Sequence, residues 1–190
     1  MLHLINKIIF LIKKPKVVVV AGKERQAAVE AIFHILRRRF KVGKEIFIFQ
    51  TESSASGVEK FGYIVKRSSL PILVVTALDA KDAQELKKLS EIMPSPQGYL
   101  VLNFDDNMAK EVNKGTTLTY GFQKGADFQA TDVKTNGGTN FKINYKGNIV
   151  PVWLAQGAGK EQIYSSLAAA AVAAILGLNL VEISQALKKI

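Results

Sequence analysis

A phosphate-binding loop needs glycines so that backbone amides can wrap the phosphates, a lysine to reach them, and a serine or threonine to hold magnesium. The turn of this 190-residue chain that comes nearest is Ala21-Gly22-Lys23-Glu24-Arg25-Gln26, between a β-branched run and a helical stretch. It offers Gly22, Lys23, Arg25 and Gln26 to an anion. Yet it has one glycine, Glu24 facing the incoming charge, and no hydroxyl after either basic residue. The same residues also read as a plain strand-to-helix turn. Two further polar turns, Thr51-Glu52-Ser53-Ser54 and Asp105-Asp106, follow apolar runs. The chain has no cysteine, which excludes a disulfide framework, a thiolate zinc site and a cysteine nucleophile. Its two histidines, His3 and His34, stand apart from these turns and read as structural or surface residues.

Turns of this kind matter because open parallel sheets bind ligands at the carboxyl ends of their strands. Val17 to Val20, Glu45 to Gln50, Pro71 to Thr76, Gly98 to Asn103 and Thr116 to Tyr120 read as five such strands. Helical stretches are expected between them at about 26–39, 58–66 and 80–93, with a short helix after Asp106. The alternation predicts an α/β doubly wound, mostly parallel, P-loop-like sheet. From Ala126 the pattern changes to short alternating runs, ADFQATDV, TNFKINY and NIVPVWL, separated by Asn136-Gly137-Gly138 and Lys146-Gly147-Asn148. These predict a small antiparallel meander. Two C-terminal helices follow: an Ala-rich one over Lys160 to Leu176, and one capped by Asn179 with Glu182 three positions on.

Net charge is +10, and +9 of it lies in residues 1–44. Residues 1–14, MLHLINKIIFLIKK, carry polar residues on one side of a helical projection and Leu and Ile over the rest, and Pro15 ends the segment. This predicts an amphipathic helix at 1–14 and a second unit at 15–190. The amphipathic segment suits an interfacial anchor on an anionic membrane surface, and equally a helix packed on the domain or on a protein partner. No apolar run reaches the roughly 18 to 20 residues of a spanning helix. The tract Arg37-Arg38-Arg39-Phe40-Lys41 could meet nucleic acid, but no stacking-aromatic pattern accompanies it, and a basic helix end complements the helix dipole.

From Tyr99 onward the chain resembles the central domain of the Mur ligase family, in particular its branch that adds D-alanyl-D-alanine. The resemblance is carried by Val101-Leu102-Asn103-Phe104-Asp105-Asp106, by Thr119-Tyr120-Gly121-Phe122 leading to Gly125-Ala126-Asp127-Phe128-Gln129-Ala130, and by Gly138-Thr139-Asn140-Phe141. Gly159-Lys160-Glu161-Gln162-Ile163-Tyr164-Ser165-Ser166-Leu167-Ala168-Ala169 and Leu176-Gly177-Leu178-Asn179-Leu180-Val181-Glu182-Ile183 complete it. It implies an ATP- and Mg2+-dependent ligase that joins an amino acid or dipeptide to a carboxylate, working in the cytoplasm near the inner face of the membrane with two further domains.

Carried over by position, the resemblance sets Glu24 at the family's phosphate-loop glycine, Arg25 at its lysine and Gln26 at its Thr/Ser. Glu52 matches the magnesium-binding glutamate, and a solvated turn residue is the alternative. No histidine follows the Val74-Val75-Thr76 strand end. Lys87 reaches the carbamylated-lysine position only with a one-residue shift. Glu161 and Gln162 stand at the adenine-contacting His-Asn pair. The expectation is therefore a degenerate central domain acting as a binding or assembly partner. The alternative is an ATP-binding subunit of a split ligase whose other domains are on separate chains.

Overall fold

Four consecutive valines cannot alternate between a wet and a dry face, so they fit a strand covered on both sides. The computed structural model describes residues 14–51, 55–79, 87, 91, 97–111, 115–135, 138–154 and 158–188, and it places the valines in such a strand. In β1 (Lys16–Ala21), Val17 to Val20 are fully buried. Side chains alternate along a strand, so Val18 and Val20 join one core layer while Val17, Val19 and Ala21 join the other.

The parallel part of the sheet continues with β2 (Ile46–Thr51), β3 (Pro71–Val75), β4 (Tyr99–Asn103) and β5 (Thr116–Gly121). After them come β6 (Phe128–Lys134), β7 (Thr139–Tyr145) and β8 (Asn148–Leu154). The helices are α1 (Arg25–Leu36), α2 (Ala55–Arg67), α3 (Asn107–Glu111), α4 (Lys160–Ile175) and α5 (Leu180–Leu187). The strand order is β2-β1-β3-β4-β5-β6-β7-β8 in one eight-stranded sheet. Helices α1, α4 and α5 cover one face, and α2 with α3 covers the other.

The α/β doubly wound, mostly parallel architecture with two C-terminal helices agrees with the sequence reading. One connection differs. The meander is joined to the main sheet by a parallel pairing of β6 with β5, Tyr120 opposite Phe128 and Gly121 opposite Gln129. Parallel neighbours ordinarily need a crossover of a dozen or more residues. Here only two residue pairs overlap, so the loop between β5 and β6 can be short. Beyond it β6, β7 and β8 pair antiparallel, as expected.

Helix α1 is shorter than the expected 26–39, because Arg37, Arg38 and Arg39 lie in a turn after it. Two of these arginines serve tertiary structure. Arg38 Nη1 donates to the Gln185 carbonyl at 3.3 Å and Arg39 Nη1 to the Gly177 carbonyl at 3.2 Å, while Arg39 also pairs with Glu182 at 3.5 Å. The basic tract thus holds α5 and the α4–α5 turn.

Helix α4 packs against both the sheet and α1, and Ala168 to Ala171 and Ala173 in it are fully buried. Alanines let the two helices approach closely, and a longer side chain there would overpack. Asn179 caps α5: its Oδ1 accepts from the Glu182 N–H at 3.0 Å, and Glu182 Oε2 accepts from the Asn179 N–H at 2.8 Å. The expected amphipathic helix at 1–14 lies outside the described residues except for Lys14. The expected helix at 80–93 does too, except for Lys87 and Glu91, both helical. No helix among the described residues is long and apolar enough to cross a membrane.

Candidate functional site

The carboxyl ends of β1, β3, β4 and β5 meet at one edge of the sheet, where α1 and α4 both begin. Helix N-termini present unsatisfied N–H groups and a partial positive charge, so this edge is where an anion would bind. What it can hold depends on where its backbone and side-chain donors already point.

At the first turn, Gly22 has φ +112°, a left-handed conformation that favours glycine. A Cβ on Gly22 would stand 2.3 Å from Thr76 Oγ1 and 2.9 Å from the Ala77 carbonyl. The turn is therefore pressed against the end of β3. Thr76 Oγ1 donates to the Ala21 carbonyl at 3.0 Å, and the Lys23 N–H donates to the Ala77 carbonyl at 2.9 Å. Arg25 Nη1 folds back onto the Gly22 carbonyl at 3.0 Å, and Gln26 Nε2 reaches Glu30 Oε1 at 3.1 Å. Of the expected anion ligands, the amide of Lys23 and the side chains of Arg25 and Gln26 are thus bonded to the protein. The Lys23 side chain is exposed.

Glu24 occupies the N-cap position of α1 without a side-chain capping bond. Burial, and next the charge of Glu161 at the start of α4, push its carboxyl above the ordinary carboxylate range. The folded chain therefore holds this proton more tightly than the unfolded chain does. The favourable contribution is present below the ordinary carboxylate range and is lost as pH rises through the raised value. At neutral pH, Glu24→Gln is expected to raise stability by up to about 0.5 kcal/mol, a figure discounted for its exposure. The Tm gain would be about 1–2 °C. It should fade as pH falls through the carboxylate range, which thermal melts across pH 4 to 8 check.

Gln162 lies in the first turn of α4, and its Oε1 accepts from the Gly159 N–H at 2.8 Å, closing that helix start. Its carbonyl is committed to the backbone. Lys87 is exposed. Glu52 and His3 lie outside the described residues, so the proposed metal ligand has no described geometry. His34 is on α1, with Nδ1 3.3 Å from Arg37 Nη2.

The residue that organises this edge, Asp105, carries no site role in the sequence reading, where it stands in a polar turn and in one motif of the resemblance. Asp105 Oδ2 accepts from the Phe122 N–H at 2.7 Å and from the Tyr164 hydroxyl at 2.8 Å, and Oδ1 accepts from the Gln123 N–H at 3.0 Å. It ties the loop after β4 to the loop after β5 and to α4. Asp106 caps α3 through the Met108 N–H at 2.8 Å and accepts from the Leu78 N–H at 2.7 Å. Tyr164 lies edge-on to Phe122, ring centroids 4.8 Å apart, with Lys160 Nζ 5.2 Å from the Phe122 centroid. Buried Tyr120 donates to the Val75 carbonyl at 3.2 Å. Burial first, then the surrounding carboxylates, push the Tyr120 phenol far above its usual range; for Tyr164 burial and the Asp105 hydrogen bond do the same. Both phenols stay protonated as donors.

The sequence profile of the Mur ligase middle domain matches residues 44–173. The chain belongs to the Mur ligase middle-domain family. The match begins after β1 and α1, so the turn at 22–26 stands outside it. UDP-N-acetylmuramate–L-alanine ligase of Dictyoglomus turgidum is 30% identical over 149 residues, covering 71% of this chain and 32% of that enzyme. The same enzyme of Streptococcus thermophilus is 29% identical over 93 residues, 48% of this chain and 21% of the enzyme. The matched stretches thus span about a fifth to a third of these curated relatives.

Among solved structures, the UDP-N-acetylmuramoylalanyl-D-glutamyl-2,6-diaminopimelate–D-alanyl-D-alanyl ligase of Acinetobacter baumannii superposes with TM-score 0.76 at 15% identity. That superposition covers 97% of this chain and 47% of that one. The Thermotoga maritima MurF ligase, solved in complex with ADP, gives TM-score 0.71 at 15% identity over 97% of this chain and 53% of that one. These structural likenesses show the fold. The profile match places the chain in the family, and the structural neighbours add the fold alone.

Proposed function

We propose that this chain is a Mur ligase-type middle domain that keeps the family scaffold but has left ATP-dependent ligation, serving as a binding or assembly module of the peptidoglycan-precursor lineage. One observation carries the reading: groups of the protein itself take the places an anion would take. Glu24 and Glu161 put carboxylates at the starts of α1 and α4. The Lys23 amide is bonded to Ala77 and the Arg25 guanidinium to Gly22. A nucleoside triphosphate with magnesium does not fit this set, since it would meet like charge at two helix starts and no hydroxyl in the turn. Core and site are separate constraints on a sequence, so a scaffold can persist when its chemistry is lost.

Isothermal titration of the full chain with MgATP tests the proposal. The expected result is no saturable binding below about 1 mM. Micromolar affinity with release of ADP would overturn it. A second reading, an ATP-binding subunit of a split ligase, draws on the exposed Lys23 side chain, which remains free to reach a phosphate after a local rearrangement. It requires ligase activity to appear when chains carrying the other domains are added.

A further inference from the structure

The opposite end of the sheet has the reverse electrostatics. Where β1 begins, Lys14, Pro15, Lys16, Lys41, Lys44, Glu45 and Ser69 line a cavity of about 420 Å³. Its walls are pinned by backbone bonds. The Ser69 N–H donates to the Lys14 carbonyl at 3.2 Å, and the Lys16 N–H to the Glu45 carbonyl at 3.1 Å. Lys41 and Glu45 close a turn in which the Glu45 N–H donates to the Lys41 carbonyl at 2.9 Å.

Glu45 is the one acidic group of the cavity, and its Oε2 accepts the Lys41 N–H at 2.6 Å. Its charge is thus directed at backbone rather than at an ammonium. Among the described residues, none of Lys14, Lys16, Lys41 and Lys44 forms a salt bridge. Lys16 Nζ lies over the Phe40 ring, 5.7 Å from its centroid, and none of the four lysines that line the cavity has a carboxylate partner among the described residues.

We propose that this cavity takes the phosphate headgroup of an anionic lipid at a membrane surface. One observation suits any phosphate, and a second selects a lipid over a soluble anion. The cavity is complementary in charge to a phosphate, and lysine binds phosphate as a point charge without needing a planar partner. The chain that enters it at Lys14 also follows residues 1–13, whose sequence includes Leu2, Leu4, Ile5, Ile8, Ile9, Leu11 and Ile12 beside Lys7 and Lys13. Such residues suit the acyl boundary beside headgroups and offer nothing to a dissolved phosphate. The proposal is independent of nucleotide binding, because the cavity and the Gly22 turn lie at opposite ends of β1.

Co-sedimentation of the full chain with phosphatidylglycerol-containing and with pure phosphatidylcholine vesicles tests the assignment. Binding is expected to the anionic vesicles and to weaken steeply with salt. The triple variant Lys14→Gln, Lys41→Gln, Lys44→Gln should lose about 100-fold in partitioning, from the contribution of each basic residue near an anionic surface. A full-chain Lys→Arg triple variant, which keeps the charge, should retain binding. Equal binding to both vesicle types would overturn the proposal, as would binding that ignores both salt and the glutamine variant. It would equally be overturned if inorganic phosphate or duplex DNA bound the same lysines with no preference for vesicles. If the glutamine variant fails to fold, the salt and lipid dependence of the unaltered chain decides.

Discussion

Asp105→Ala is expected to lower the unfolding free energy by about 3–5 kcal/mol, more than any other polar substitution at the sheet's carboxyl edge. Its carboxylate receives two backbone amides and one phenol, from Phe122, Gln123 and Tyr164. A bond to a charged group contributes more than a neutral one, and alanine leaves all three donors without their acceptor. Gly121 packs directly against the carboxylate, where a Cβ would fall 2.6 Å from Asp105 Oδ1. Alanine therefore also leaves space that the loop after β5 can collapse into. For a chain of this length the loss corresponds to a Tm lower by about 10 °C. Asp105→Asn keeps one acceptor and should cost about half as much. Tyr164→Phe removes a single donor and should cost about 1 kcal/mol. Urea denaturation of the three variants and of the Asp105/Tyr164 double variant checks this, and the cycle should show coupling between the two residues.

The second large effect is expected at Gly22. Alanine there must adopt φ +112°, which costs an L-residue about 1–2 kcal/mol. Its Cβ would lie 2.3 Å from Thr76 Oγ1 and 2.9 Å from the Ala77 carbonyl. The carbonyl cannot move without disturbing its bond from the Lys23 N–H, worth about another 1 kcal/mol. A total loss of about 3–4 kcal/mol follows. Because the nearer clash is with a side chain, Thr76→Ala should relieve part of it. Although it forfeits the bond to Ala21, the double variant should be more stable than the sum of the single losses predicts. Denaturant melts of Gly22→Ala, Thr76→Ala and the double variant measure this. Additive losses would mean that Thr76 does not hold the turn.

Much of the scaffold was legible because its signals are local. The valines of β1, the run Pro71 to Thr76 and the Asn179-Glu182 box each specify an element through neighbours a few positions away. What stayed hidden depends on distant partners. Periodicity marks a strand but does not name the strand beside it, so the parallel pairing of Tyr120 with Phe128 could not be read. The turn of Arg37 to Arg39 after α1 is held by carbonyls of Gly177 and Gln185, which no local pattern announces.

The candidate site divides the same way. Gly22 to Gln26 and Gln162 were placed at helix starts from sequence, and the structure agrees. Their partners were not readable: Lys23 bonds to Ala77, and Tyr164 bonds to Asp105 from 59 positions away. A damaged phosphate loop is visible as missing residue types, whereas a turn closed by its own protein is visible only in three dimensions.

A crystal structure of the chain grown with MgADP shows whether the turn stays closed by its own protein. The Lys23 N–H is expected to remain bonded to the Ala77 carbonyl, with no phosphate density against residues 22–26. Phosphate density bonded to Lys23 or Arg25, with the Lys23 amide released from Ala77, would contradict it.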